Sequence, residues 1–155
     1  MVESGPRNIP YVDTPYGRIG QVICADMLFP HYIRQAAIND IDLLLVPSFD
    51  SPMFTPLITY ASGYRAVENG FTMIRITGDG HSGIIDPYFR HWTGKNSFEQ
   101  GTDNLYANVP ILSGNTIYSS IGFVFPYLIV LLLTLLTVSA IIKAVRRDKD
   151  THPER

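Results

Sequence analysis

Residues 17–30 read Gly17-Arg18-Ile19-Gly20-Gln21-Val22-Ile23-Cys24-Ala25-Asp26-Met27-Leu28-Phe29-Pro30. Ile19, Val22 and Ile23 fit a buried strand ending at Cys24, and Phe29-Pro30 marks a helix start, where proline's missing N–H costs nothing. Outward from this stretch, Ile33, Ala36, Ala37 and Ile38 recur at helical spacing over residues 31–39 before Asp40 and Asp42 interrupt. Residues 41–47, IDLLLVP, form a continuous apolar run expected of a strand covered on both faces. A second helix is expected over 56–69, with Leu57, Tyr60, Ala61, Tyr64 and Val67 on one side and Asn69-Gly70 as its stop. Residues 71–77 read as a strand, TGDGHSG as a tight connection, and 82–86 as a strand stopped by Asp86-Pro87; 88–92 and 105–109 are candidates for further short strands. Strands alternating with helices predict an α/β layer architecture with right-handed crossovers.

Of the 155 residues 46% are apolar and 17% charged, and the apolar excess is local. Residues 123–142, FVFPYLIVLLLTLLTVSAII, carry no charge over a length that spans the ~30 Å hydrocarbon core of a bilayer as a helix. Lys143, Arg146, Arg147 and Lys149 follow it, whereas the nearest preceding basic residue is Lys95. The positive-inside bias then predicts a single-pass protein of the cell membrane with an extracytoplasmic soluble domain and a cytoplasmic C-terminus. The expected organisation is an outer domain over 1–115, a linker over 116–122, the transmembrane helix over 123–142 and a basic tail over 143–155. The outer domain has seven basic residues (Arg7, Arg18, Arg34, Arg65, Arg75, Arg90, Lys95) against eleven acidic, which argues against a nucleic-acid partner. The expected partner is membrane lipid. Residues 1–10 are polar and contain no apolar signal-peptide core, which leaves export of the outer domain to the span itself or to an upstream portion.

The chain's single cysteine excludes an internal disulfide and a cysteine-cluster metal site. Cys24 is therefore either a small buried hydrophobe or a nucleophile. In open α/β sheets ligands bind at the carboxyl ends of strands, and a thiolate on a sharp strand-to-helix turn can attack a carbonyl while the next residue's backbone N–H, here that of Ala25, holds the oxyanion. Asp26 reads equally as a site carboxylate and as a helix cap. Arg65 and Glu68 lie one helical turn apart and suit either a brace for the site or a helix-end ion pair. Arg75 in an apolar strand requires a buried partner. Gly80-His81-Ser82-Gly83 fails the G-x-S-x-G serine elbow because residue 84 is Ile. His81, Asp79, Asp86 and His91 match no metal-ligand spacing, so neither metal nor cofactor is expected.

The surroundings of Cys24 resemble the nucleophile motif of the nitrilase (carbon-nitrogen hydrolase) superfamily. The resemblance continues in order through Leu43-Leu44-Leu45-Val46-Pro47-Ser48, through Arg65-Ala66-Val67-Glu68-Asn69-Gly70, and through Arg75 with Gly80 and Ser82 to Pro87, over about residues 17–110. Asn108-Val109-Pro110, Ser113-Gly114-Asn115-Thr116 and the apolar helix beyond are similar to the exit of the apolipoprotein N-acyltransferase branch, here its C-terminal portion only. The resemblance implies a partial nitrilase-type αββα sandwich followed by one transmembrane helix. It implies Cys24 as nucleophile, Asp26 at the matching carboxylate position, the Ala25 N–H as oxyanion donor, and Ser48, Arg65, Glu68 and Arg75 as supports. It also implies a reaction in which the cysteine takes an acyl chain from a phospholipid donor as a thioester and passes it to the N-terminal amine of a lipoprotein acceptor.

The family triad is Glu, Lys and Cys, with Glu and Lys upstream. Before Cys24 this sequence has no lysine and, as its only glutamate, Glu3. An unassisted thiol is only a few per cent ionised at neutral pH, so these residues are expected from a missing N-terminal half or a partner chain, without which the chain is an incomplete or inactive fragment. Ala25 and Ser51 also stand where relatives carry aromatic residues. The two alternative readings are a membrane-tethered amidase, in which water resolves the thioester, and a non-catalytic remnant or interaction module. Half a sandwich is expected to leave an apolar sheet face uncovered.

Overall fold

The structure is a computed structural model that describes residues 7–101, 104–109, 111–112, 114–122 and 124–151. The chain divides into two compact units, Met1–Ser120 and Ile121–Arg155.

The first unit is built on a six-stranded mixed sheet in the order β1 to β6. β1 (Tyr11–Thr14) and β2 (Gly17–Gln21) form an antiparallel hairpin, closed by the Thr14 hydroxyl donating to Gly17 O at 2.7 Å. β3 (Leu43–Ser48) and β4 (Thr72–Thr77) continue parallel to β2, and the crossovers between them are α1 (Pro30–Ile38) and α2 (Leu57–Asn69). β5 (His81–Ile85) and β6 (His91–Asn96) complete the sheet antiparallel.

Both helices cover the same face. Leu44 and Val46 of β3, Met73 of β4 and Ile85 of β5 point into it with Ile33, Ala36 and Ala66, each at most 1% exposed. Each large apolar side chain buried in this layer contributes roughly 1.5–3 kcal/mol. The alternate residues Leu43, Leu45, Pro47, Ile74 and Ile76 lie on the opposite face, where Ile76 is 50% exposed and Pro47 is also open. Among the described residues the sheet therefore has one apolar face covered by helices and one partly open to solvent, as expected for half of an αββα sandwich.

Several local expectations are corrected. The strand ends at Gln21, so Cys24 lies three residues past it. Helix α2 buries Thr59, Ser62, Gly63, Ala66 and Asn69, while Tyr60, Tyr64 and Leu57 face outward. Small residues win that face because the helix packs close: a Cβ on Gly63 would lie 2.8 Å from Ile85 Cδ1. The tyrosines instead pack at the surface, Tyr64 on Phe89 at 4.8 Å between centroids and Tyr60 edge-on to His91 at 5.3 Å. The sixth strand begins at His91 rather than residue 88, and residues 105–109 form no strand.

Residues 111–112 and 114–116 strap back across the amino end of β4. Gly114 N donates to Gly70 O at 3.1 Å and the Thr116 hydroxyl donates to Glu68 O. Gly70 closes α2 in the left-handed conformation, φ 77°, and a Cβ there would collide with Gly114 O at 1.8 Å. After the short helices α3 (Ser97–Gln100) and α4 (Ile117–Ile121), the second unit is the helix α5 (Val124–Thr151). Its segment Val124–Arg146 has mean hydropathy 2.6 and is wholly unburied, long and apolar enough to cross a membrane. α5 continues beyond this segment to Thr151.

Candidate active site

Cys24 opens a 3-10 turn, Cys24–Leu28, between β2 and α1. Its φ of 44° places a side-chain-bearing residue in the left-handed region, where Cβ crowding costs about 1–2 kcal/mol. Such a conformation persists only where the surroundings over-determine it. On one side Val22, 2% exposed, donates its N–H to Leu45 O at 3.0 Å and pins the strand exit. On the other, Asp26 Oδ2 accepts the Ile23 N–H at 2.8 Å while the Asp26 N–H donates to Ile23 O at 2.9 Å, a reciprocal cap. The carboxylate thus fixes the turn that presents the thiol. Ala25 is exposed, and its N–H is among the first donors of the turn, ahead of that first turn-closing bond.

The half-buried Cys24 Sγ donates to Phe49 O at 3.7 Å. Phe49 follows the last residue of β3, so the sulfur lies where the carboxyl ends of two adjacent parallel strands meet. A carbonyl accepts the thiol's hydrogen bond and is no base, so removal of the proton needs another group.

Alongside, the ends of β3 and β4 hold a buried polar cluster. Arg75, 0% exposed, donates from Nη2 to Asp50 Oδ1 at 2.5 Å, from Nη1 to Ser48 Oγ at 2.6 Å and from Nε to Thr59 Oγ1 at 3.2 Å. The Thr59 hydroxyl donates onward to His81 O at 2.6 Å, and the Asp50 N–H donates to Asp79 O at 3.0 Å. The partner that Arg75 requires is Asp50. Sequence reading did not single out Asp50, Thr59 or the Phe49 carbonyl; the one available signal for Asp50 was an acid two residues past a buried strand in a chain with a buried arginine.

Ser48 and Arg75 are thus brought together next to the loop that holds the thiol. Arg65 and Glu68 are ion-paired to each other at the end of α2 that leads into β4, where the strap engages Glu68 O. Glu3 lies outside the described residues. A cavity of about 740 Å³ adjoins the turn, lined by Ile23, Asp26, Phe29, Tyr32 and Gln35 among others; Cys24 itself does not line it. Burial pushes the Tyr32 phenol above its usual range, and the Asp26 charge pushes it further in the same direction.

The His81 and Asp86 region has other work. The Thr77 N–H donates to Ser82 Oγ at 3.0 Å, and Asp86 accepts from Tyr88 N, Arg90 N, Arg90 Nε and Trp92 Nε1 at 2.6–3.0 Å, bracing the β5–β6 turn. Burial alone would raise the Asp86 pKa; these hydrogen bonds outweigh it and hold the carboxyl below the usual range. Burial, then the neighbouring His91, lowers the pKa of His81.

The carbon-nitrogen hydrolase family model matches residues 1–111. An apolipoprotein N-acyltransferase of Shewanella oneidensis is 30% identical over 109 residues, 68% of this chain and 21% of the relative. A deaminated glutathione amidase of Dictyostelium discoideum is 33% identical over 102 residues, 56% of this chain and 34% of the relative. Among solved structures, an amidase from Nesterenkonia shares 26% identity with a TM-score of 0.53, covering 59% of this chain and 38% of its own. Saccharomyces cerevisiae Nit3, of the nitrilase superfamily, shares 25% identity with a TM-score of 0.55, covering 60% and 38%. The chain spans about a fifth of the length of the acyltransferases and about a third of the amidase relative.

Proposed function

Because the chain belongs to the carbon-nitrogen hydrolase family, we propose that it is the cysteine-bearing C-terminal portion of a membrane-anchored N-acyltransferase, with Cys24 as the acyl carrier. The observation that carries this reading is Cys24 held at φ 44° on a sharp strand-to-helix turn, at the carboxyl ends of parallel strands, in a chain that also carries a helix fit to cross a bilayer. The thiolate attacks the ester carbonyl of a phospholipid; a C–S bond forms, the ester C–O bond breaks and the lysolipid alkoxide takes a proton. The N-terminal amine of a lipoprotein then attacks the thioester, the amide C–N bond forms, and the sulfur leaves and regains a proton. The Ala25 N–H suits the oxyanion of both steps, at about 3–4 kcal/mol per well-placed donor.

The base and the lysine come from a second half of the fold, on the same polypeptide or a partner chain. That half also covers the partly open face around Leu45, Ile74 and Ile76. Lys143, Arg146, Arg147 and Lys149 put the C-terminus in the cytoplasm, with the sheet domain outside.

The amidase reading has support in the amidase relatives, and it differs in one step: water replaces the amine. Product analysis tests both. The chain is supplied with a Glu- and Lys-bearing partner half and given a tagged phospholipid, a peptide with a free N-terminal amine, and a small amide. Amide-linked tag on the peptide is the expected product; ammonia from the small amide with an unmodified peptide assigns the amidase, and neither product removes both enzymatic readings.

A further inference from the structure

Phe49 stands between two residues that are tied to the same buried guanidinium. Ser48 Oγ accepts from Arg75 Nη1 and Asp50 Oδ1 from Arg75 Nη2, at 2.6 and 2.5 Å. The backbone is held as well: Gly78 N donates to Ser48 O and Asp50 N to Asp79 O, both at 3.0 Å. Gly80 closes over the far side, where a Cβ would lie 2.7 Å from Asp50 Cβ and 2.6 Å from Thr55 Oγ1. The peptide between Ser48 and Asp50 has little freedom, and its carbonyl is the acceptor of the Cys24 S–H.

We propose that Asp50 and Arg75 form a clamp that positions the Cys24 sulfur through the Phe49 carbonyl. This rests on the reading of Cys24 as the acyl carrier and adds Asp50 as a positioning residue. Arg75 bridges the two sides of Phe49 and fixes the direction of its C=O; the carbonyl in turn selects one of the thiol's staggered rotamers. A guanidinium suits this task because its planar fork addresses two acceptors at once. Exposed Phe49 supplies the link through its backbone carbonyl.

The chain's one cysteine gives one S–H stretching band, and infrared spectra of the full chain in detergent micelles read its hydrogen bond directly. The wild-type band is expected narrow and displaced to lower frequency, and absent in Cys24→Ala. Ser48→Ala and Asp50→Ala each move it toward the free-thiol position and broaden it, and alkylation of Cys24 by iodoacetamide becomes roughly fivefold faster, the equivalent of one lost hydrogen bond. Asp50→Asn, which keeps an acceptor for Nη2, restores most of the wild-type band. A purely structural role would lower thermal stability without moving the band. The proposal is overturned by a wild-type band at the free-thiol position, or by folded Ser48→Ala with an unchanged band; that variant decides the matter should Asp50→Ala fail to fold. Absence of acyl transfer to wild-type Cys24 in the presence of a Glu- and Lys-bearing partner half, with these band shifts intact, would remove the acyl-carrier reading and leave the clamp standing.

Discussion

Replacing Cys24 by glycine should make the protein more stable than replacing it by alanine. Both substitutions delete the sulfur and its bond to Phe49 O, so their difference isolates the backbone. At φ 44° alanine keeps the Cβ crowding, about 1–2 kcal/mol, which glycine escapes. Glycine in turn loses about 0.5–1 kcal/mol more chain entropy on folding. The difference leaves Cys24→Gly ahead by about 0.5–1 kcal/mol, whereas in an ordinary helical turn it would fall about 1 kcal/mol behind. The sign is therefore diagnostic. Urea unfolding of the two variants in mild detergent, followed by the fluorescence of Trp92, the chain's only tryptophan, measures it in the sheet unit. A Cys24→Gly chain equal to or less stable than Cys24→Ala would refute the strained turn and the presentation of the thiol that follows from it.

Asp50→Ala strands a fully buried guanidinium and should cost about 3–5 kcal/mol, while the double variant Asp50→Ala with Arg75→Met recovers most of it; denaturation midpoints decide. The lowered Asp86 pKa predicts an acid-sensitive turn. Its contribution is complete above the unfolded carboxyl pKa of about 3.9 and is lost as pH falls through the lower folded value, so Asp86→Asn should flatten the stability profile in that window. Ile76→Lys, on the partly open face, should change the stability of the isolated chain by less than about 0.5 kcal/mol yet abolish co-purification with a partner half of the fold.

The parallel core of the fold was legible because it depends on local signals. The apolar run of β3, the Phe29-Pro30 start of α1 and the Asn69-Gly70 stop of α2 each need only a few neighbouring residues. Which side of α2 is buried was not legible, because the apolar Leu57, Tyr60 and Tyr64 stand out in sequence whereas close packing on β5 selects Thr59, Ser62, Gly63 and Ala66. Cys24 was conspicuous by type and position, but its left-handed backbone was not, since nothing in a cysteine's neighbours encodes a positive φ. Asp50 stayed hidden for a different reason: its partner Arg75 is 25 residues away, and only the pairing of β3 with β4 brings the two together.

Tandem mass spectrometry of the chain after exposure to a tagged phospholipid and a Glu- and Lys-bearing partner half tests most directly whether the Cys24 sulfur is the acyl carrier. The expected result is one acyl mass located on Cys24, released by neutral hydroxylamine and absent from Cys24→Ala. An acyl group found on another residue, or carried equally by Cys24→Ala, would contradict it.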